Sequence, residues 1–213
     1  GHAILERYGM TETGMNTSNP YDAERRAGTV GFPLEGVELR ITTADGTPLP
    51  EGEIGIIEVR GANVFKGYWN MPSKTAEELR GDSFFITGDM GKIDKDGYVI
   101  IIGREKDLII SGGYNIYPKE VELLLDQEPT VKESAVIGLP HGDFGEGVVA
   151  VLVPENNSVP DIERIKSNLA VRLANFKRPK QYIVVNALPR NTMGKVQKNI
   201  LREHYQVVFV TDD

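Results

Sequence analysis

Apolar and polar side chains alternate from Val37 to Ile41, and a second strand-like run follows from Ile54 to Val59 after the turn signals Asp45-Gly46 and Pro50-Glu51-Gly52. The pattern predicts antiparallel β structure. Pro72 and Ser73 open a short acidic helical stretch, after which Phe84-Phe85-Ile86, then Lys92-Ile93 and Tyr98 to Ile102 around Asp96-Gly97, resume the strand pattern. Past Arg104 the periodicity changes. Pro118 starts a helix whose Val121, Leu124 and Leu125 share a face, and strands are predicted at Val131 to Ile137 and Val148 to Val153. Ile162, Ile165, Leu169 and Leu173 recur at helical spacing, followed by a strand at Tyr182 to Val185 and a last helix near Asn199 to His204. The fold class expected is α+β: a unit of short strands, then a small domain alternating helix and strand. The charged segment Gly103-Arg104-Glu105-Lys106-Asp107 is the natural boundary between them.

Composition narrows the function classes. With 213 residues the chain can bury a proper core, as one large domain or two small ones. A formal charge of −7 argues against a broad nucleic-acid surface, which needs Lys and Arg in excess over a face. Cysteine is absent, so there is no disulfide, thiolate metal site or cysteine nucleophile, and His2, His141 and His204 are too far apart for zinc-ligand spacing. No apolar run approaches the ~20 residues of a membrane span, and no signal segment opens the chain, so a cytoplasmic setting is expected. The opening Gly1-His2-Ala3-Ile4-Leu5-Glu6 reads as if cut from the middle of a longer chain.

Four segments carry candidate chemistry. Tyr8-Gly9-Met10-Thr11-Glu12-Thr13-Gly14 puts an aromatic ring, a hydroxyl and a carboxylate in a Gly-flanked loop, a set that suits a nucleobase, a phosphate and Mg²⁺. A polar turn beside a core tyrosine is the plainer account. Thr87-Gly88-Asp89 places an acid at the end of an apolar strand, where a carboxylate can accept ribose hydroxyls; an ordinary turn aspartate explains it almost as well. Gly112-Gly113-Tyr114-Asn115 follows an apolar strand and precedes a helix, where glycines let backbone approach a ligand, yet no GxGxxG or GKS/GKT phosphate loop accompanies it. Pro189-Arg190-Asn191-Thr192-Met193-Gly194-Lys195 holds a lysine in a Gly-containing loop, which by composition alone is a solvated side chain.

The order of these segments, with Gly103-Arg104-Glu105-Lys106-Asp107 and the run on to Ile116-Tyr117-Pro118 and Glu120, resembles the successive signature motifs of adenylate-forming acyl-CoA synthetases. The resemblance implies a barrel-like β subdomain ending a large adenylation domain over residues 1–105, and a C-terminal lid domain over 106–213. It implies that Tyr8, with Gly9 beside it, packs on adenine, that Thr11 bonds the α-phosphate and that Glu12 helps hold Mg²⁺. Asp89 would accept the ribose hydroxyls, Arg104 would contact ribose or phosphate, and Lys106 would be the hinge. Gly112, Gly113 and Tyr114 would line the path of CoA, and Lys195 would bridge acyl carboxylate and phosphate during adenylation by ATP.

The chemistry agrees with such roles. Carboxylate attack on the α-phosphate gathers negative charge, which a lysine and Mg²⁺ neutralise. No general base is needed, because the carboxylate is already ionised at neutral pH. Glu6 to Thr13, Met15-Asn16-Thr17-Ser18-Asn19-Pro20 and Asn191 to Asn199 further resemble the malonyl-CoA synthetase subfamily, which makes malonate the expected acid. The family's Ser/Thr/Gly-rich phosphate loop and its cation for the second malonate carboxylate have no counterpart in these residues. The 213 residues alone are therefore expected to be inactive. An adenylation domain that loads a carrier protein, a luciferase-like oxygenase and a non-catalytic binding module are the competing readings. The Thr211-Asp212-Asp213 end is not a peroxisomal SKL address.

Overall fold

The computed structural model describes residues 4–157 and 159–209; His2 with the rest of the Gly1-His2-Ala3 opening, and the Thr211-Asp212-Asp213 end, lie outside them. The fold is α+β, and the chain divides into two compact units, Gly1–Glu105 and Lys106–Asp213.

In the first unit, β1 (Arg7–Met10) and β2 (Gly14–Ser18) form a hairpin that β3 (Phe32–Pro33) extends to three strands. β4 (Val37–Thr42), β5 (Gly55–Gly61), β6 (Phe85–Ile93) and β7 (Val99–Arg104) pair antiparallel in chain order, with α1 (Pro72–Glu78) between β5 and β6. Among the described residues neither sheet closes, which corrects the expected barrel-like form. The edge of β7 is taken by the chain before β3: Val30 N donates to Val99 O at 2.8 Å and Val99 N donates to Gly31 O at 2.8 Å. Gly31 is required there, since its φ is +74° and a Cβ would lie 2.0 Å from the Ser18 carbonyl oxygen. The two strand fragments expected around 84–86 and 92–93 are one strand, β6, which stays paired through a register shift at Met90/Gly91.

Ile41, Ile57 and Val59 pack with Tyr8 in the core of this unit. Between Ile57 and Val59 the alternation of β5 turns Glu58 to the other face, where it is wholly buried. A buried carboxylate persists only when paired. Arg40 Nη2 lies 2.7 Å from Glu58 Oε2, Arg80 Nε lies 2.9 Å from Oε1, and Thr42 Oγ1 donates to Oε1 at 3.1 Å. The Arg40 and Arg60 guanidinium carbons lie 3.8 and 4.4 Å from the Phe84 ring centroid, so the ring is covered by cations.

The second unit holds β8 (Ile109–Ser111), β9 (Tyr114–Ile116), α2 (Pro118–Leu125), β10 (Val131–His141), β11 (Gly145–Pro154), α3 (Ile162–Arg172), β12 (Gln181–Val184) and α4 (Lys198–Tyr205). β10 and β11 form an antiparallel hairpin, and β12 lies parallel to β11, so the connection between those two must cross over; α3 lies on it. Both faces of the hairpin are covered. Val136, Val148, Ala150 and Leu152 point to Val121 and Leu125 of α2 and to Ile165 and Leu169 of α3. Ala135, Ile137, Leu139, Val149, Val151 and Val153 point to Leu188 and to Leu201 of α4. Strands buried on both sides read as continuous apolar runs, as these do. α3 begins where the Asp161 side chain accepts the Arg164 N–H at 3.0 Å, and Leu173, expected within it, is its extended C-terminal cap.

The free edge of β10 is covered by α2. Glu122 Oε1 accepts Val136 N–H at 2.9 Å and also meets Lys198 Nζ of α4 at 2.6 Å, while Ser134 Oγ donates to Asp126 Oδ1 at 2.7 Å. Capping an edge strand in this way removes an open row of backbone groups.

Candidate functional site

Tyr8, Thr11 and Glu12 sit on one hairpin. Tyr8 lies in β1 at a register shift with Gly9, and Thr11 to Thr13 form the turn into β2, so the Gly-flanked loop of the sequence is a β-hairpin. Gly9 cannot carry a side chain, because a Cβ would lie 2.3 Å from the Gly14 carbonyl oxygen. Thr11 is exposed at the turn and Glu12 half-buried beside it.

The Tyr8 ring is packed in the core and its hydroxyl donates to Asp89 Oδ2 at 2.7 Å. Burial, followed by the charge of Asp89, pushes the Tyr8 phenol well above its ordinary value, so it is a hydrogen-bond donor throughout the neutral range. Asp89 lies within β6 rather than at a strand end, directly opposite Arg104 of β7. The Arg104 guanidinium spans the Thr87-Gly88-Asp89 segment, with Nε 2.9 Å from Asp89 Oδ1 and Nη1 donating to the Thr87 carbonyl at 3.0 Å. Gly88 permits that bend with a φ of +68°, and Thr87 Oγ1 accepts Asp89 N–H at 3.1 Å while donating to the Ile57 carbonyl at 2.7 Å. Tyr8, Asp89 and Arg104, distant in sequence, are thus one hydrogen-bonded set.

Glu12 is gripped by a segment that sequence reasoning passed over. The Glu12 carbonyl accepts Phe65 N–H at 2.8 Å, and the Tyr68 hydroxyl lies 3.1 Å from Glu12 Oε1 and 2.5 Å from Glu78 Oε2. Burial and the two carboxylates push the Tyr68 phenol far up. Asn63 Nδ2 donates to the Thr13 carbonyl at 2.8 Å. Among the described residues no group of three acidic, His or Cys side chains forms a metal cage. A single carboxylate such as Glu12 still fits Mg²⁺, which binds through one or two carboxylates together with substrate phosphates.

In the second unit, Gly112 and Gly113 have φ of +58° and +81° and form the two-residue turn between β8 and β9. Positive φ at both positions is what a tight hairpin turn demands, so the pair precedes a strand, not directly a helix. Tyr114 follows, 57% exposed, its ring stacked on Phe176 at 4.4 Å. Lys106 lies exposed in the 3-10 turn Glu105–Asp107, next to Asp107, which pairs with Arg202 at 2.6 Å. Lys195 is exposed on a built loop. The Asn191 side chain accepts the N–H groups of Met193 and Lys195 at 3.0 and 2.9 Å, and Arg190 crosses the loop to donate to the Gly194 carbonyl at 2.7 Å while pairing with Glu133. The backbone of Lys195 is therefore fixed, and its ammonium makes no ion pair among the described residues.

A family model described as AMP-binding enzyme matches residues 1–69, and one described as AMP-binding enzyme C-terminal domain matches residues 120–195. The chain belongs to the AMP-binding, adenylate-forming family. It is similar to the malonate–CoA ligase of Arabidopsis thaliana, 41% identical over 95% of this chain and 35% of that protein. It is 44% identical to the probable CoA ligase CCL8 of Humulus lupulus over 97% of this chain and 36% of the relative. Among solved structures, ATP-bound MatB from Rhodopseudomonas palustris is 60% identical with a TM-score of 0.93, covering 98% of this chain and 42% of that one. The chain thus spans 35 to 42% of the length of these relatives.

Proposed function

We propose that this chain is the C-terminal part of an ATP-dependent acid–CoA ligase that converts malonate to its adenylate and then to malonyl-CoA. The observation that carries this reading is the similarity to ATP-bound MatB and to a malonate–CoA ligase across nearly the whole chain. The Tyr8–Asp89–Arg104 set and the fixed Lys195 loop support it. In the first half reaction a malonate oxygen attacks the α-phosphorus of ATP and pyrophosphate leaves. Lys195 balances the charge gathered between the two anions, and Thr11 donates to the α-phosphate. Mg²⁺, when bound at Glu12, offsets phosphate charge. Asp89 and Arg104 hold the ribose, and Tyr8 and Gly9 border adenine. In the second half reaction the CoA sulfur attacks the acyl carbonyl and AMP departs. Gly112, Gly113 and Tyr114 line the thiol's path, and rotation at Lys106 exchanges the two settings. The share of its relatives' length supports the further proposal that the 213 residues act only as part of a longer enzyme.

The test uses a longer enzyme carrying this chain. Pyrophosphate release is measured over a panel of acids, with CoA or a carrier protein as acceptor. Malonate with CoA should give the highest turnover. Lys195→Ala should slow adenylation by about 10²-fold or more, the loss seen when one transition-state donor is removed, and spare thioester formation from preformed malonyl-adenylate. Equal losses in both half reactions would remove Lys195 from its role; preference for another acid would remove malonate.

A further inference from the structure

Thr13 and Asn16 are wholly buried, yet Thr13 Oγ1, Asn16 Nδ2 and Asn63 Oδ1 are buried atoms with no hydrogen-bond partner among the described residues. Buried polar groups are nearly always paired, by protein or by ordered water. Three unpaired atoms on neighbouring side chains therefore call for a partner beyond these side chains. They are neighbours because Asn63 Nδ2 donates both to the Thr13 carbonyl at 2.8 Å and to Asn16 Oδ1 at 3.2 Å.

Turning either amide over does not remove the problem. With the Asn63 amide reversed, its oxygen would face the Thr13 carbonyl oxygen; with Asn16 reversed, two N–H groups would face each other. Reversing both restores one contact and leaves the Asn63 oxygen against the Thr13 carbonyl. The orientation is fixed by these partners, and the outward atoms are one donor, Asn16 Nδ2, one acceptor, Asn63 Oδ1, and one hydroxyl that can be either. A cation would be repelled by the Asn16 N–H and an anion by the Asn63 oxygen. A small neutral molecule that both donates and accepts satisfies all three.

We propose that Thr13, Asn16 and Asn63 enclose one buried water, which accepts from Asn16 Nδ2, donates to Asn63 Oδ1 and completes its bonds with Thr13 Oγ1. Three polar partners are the usual number for such a water. Gly61 is required beside this group, since a Cβ at that position would lie 2.4 Å from Asn63 Oδ1 and 2.7 Å from the Gly36 carbonyl oxygen. The water seals a brace in which Asn63 holds Thr13, and Phe65 and Tyr68 hold Glu12, so that segment 61–68 sets the turn carrying Thr11 and Glu12. The value of that brace for nucleotide binding rests on the function proposed above; the water itself does not.

Two measurements on this chain, without nucleotide, decide the matter. A crystal structure that resolves ordered water should show one peak within hydrogen-bond distance of all three atoms; no peak, or one reaching a single atom, overturns the proposal. The isosteric change Thr13→Val has an opposite sign under the two alternatives. If the hydroxyl bonds a water, its loss lowers the Tm of the first unit by roughly 4–8 °C, the shift for one hydrogen bond in a unit of about 100 residues. If the hydroxyl is bare, removing a buried unpaired group leaves Tm unchanged or raises it, which also overturns the proposal. Should Thr13→Val not fold, the density of the unaltered chain decides alone. Neither outcome depends on ligase activity, so a failed activity assay and a failed water site are told apart.

Discussion

Replacing Tyr8 with phenylalanine removes a single oxygen from the first unit while keeping the ring that packs beside Ile41, Ile57 and Val59. The lost contact is a 2.7 Å hydrogen bond from a buried phenol to the carboxylate of Asp89. Hydrogen bonds to charged groups contribute about 1.5–3 kcal/mol, and because Asp89 keeps its Arg104 partner the cost should fall near the lower half of that range, about 2 kcal/mol. With urea slopes of about 1–3 kcal/mol/M, the unfolding midpoint of the first unit should drop by about 1 M. Amide exchange read in β6 and β7 as urea rises assigns the change to that unit. The pH dependence supplies a second check. The folded-state phenol titrates above its unfolded value, so its contribution is complete below the unfolded value and is lost as pH rises through the folded one. The gap between the parent chain and Tyr8→Phe should thus be constant at neutral pH and narrow above about pH 10. An unchanged midpoint, or a gap that stays constant into that alkaline range, would refute the assignment of Tyr8 as the support of Asp89.

Lys198→Met should be costly, by about 3–5 kcal/mol in urea unfolding, because it leaves Glu122 buried without its cation, and adding Glu122→Gln should recover part of the loss. Gly113→Ala meets no neighbouring atom but must adopt a φ of +81°, so its Tm should fall by the equivalent of about 1–2 kcal/mol, whereas a Gly113→Asn change should fall by less. Asn191→Ala removes the acceptor for two backbone N–H groups, and the amides of Met193 and Lys195 should exchange with solvent faster while those of β10 and β11 do not change.

The strong periodicities were the legible part of the fold. β4, β5, β10, β11 and α3 are found where alternation, a continuous apolar run or helical spacing placed them, because each pattern extends over many residues. β9 is only three residues long, too short for a period, and Gly112-Gly113 therefore looked like a ligand loop before a helix when it is a turn between strands. The Tyr8–Asp89–Arg104 set could be listed by residue type but not assembled, since contact between residues 81 positions apart follows from strand register. Asn63, Phe65 and Tyr68 left no local signal: their partners lie about 50 residues earlier on another hairpin. Glu58, an acid flanked by Ile57 and Val59, was a visible break in an apolar run, but nothing nearby in sequence named Arg40 and Arg80 as its counter-ions.

The β10–β11 hairpin is apolar on both faces, and this bears on how the second unit finds its pairing. In a strand with one wet face, a slip of one residue carries polar side chains into the core and is rejected at once. Here the same slip exchanges one aliphatic set for another, so hydrophobicity offers little penalty for the wrong alignment. Selection must come from features that do not repeat along the strand: the tight connection between His141 and Gly145, the bulge near Val131, and the grip of Glu122 on the single amide of Val136. Glu122 thus acts as a bookmark. A chain that has collapsed but not yet closed that contact would hold mispaired strands of nearly native hydrophobic content, and realignment would then set the pace of folding.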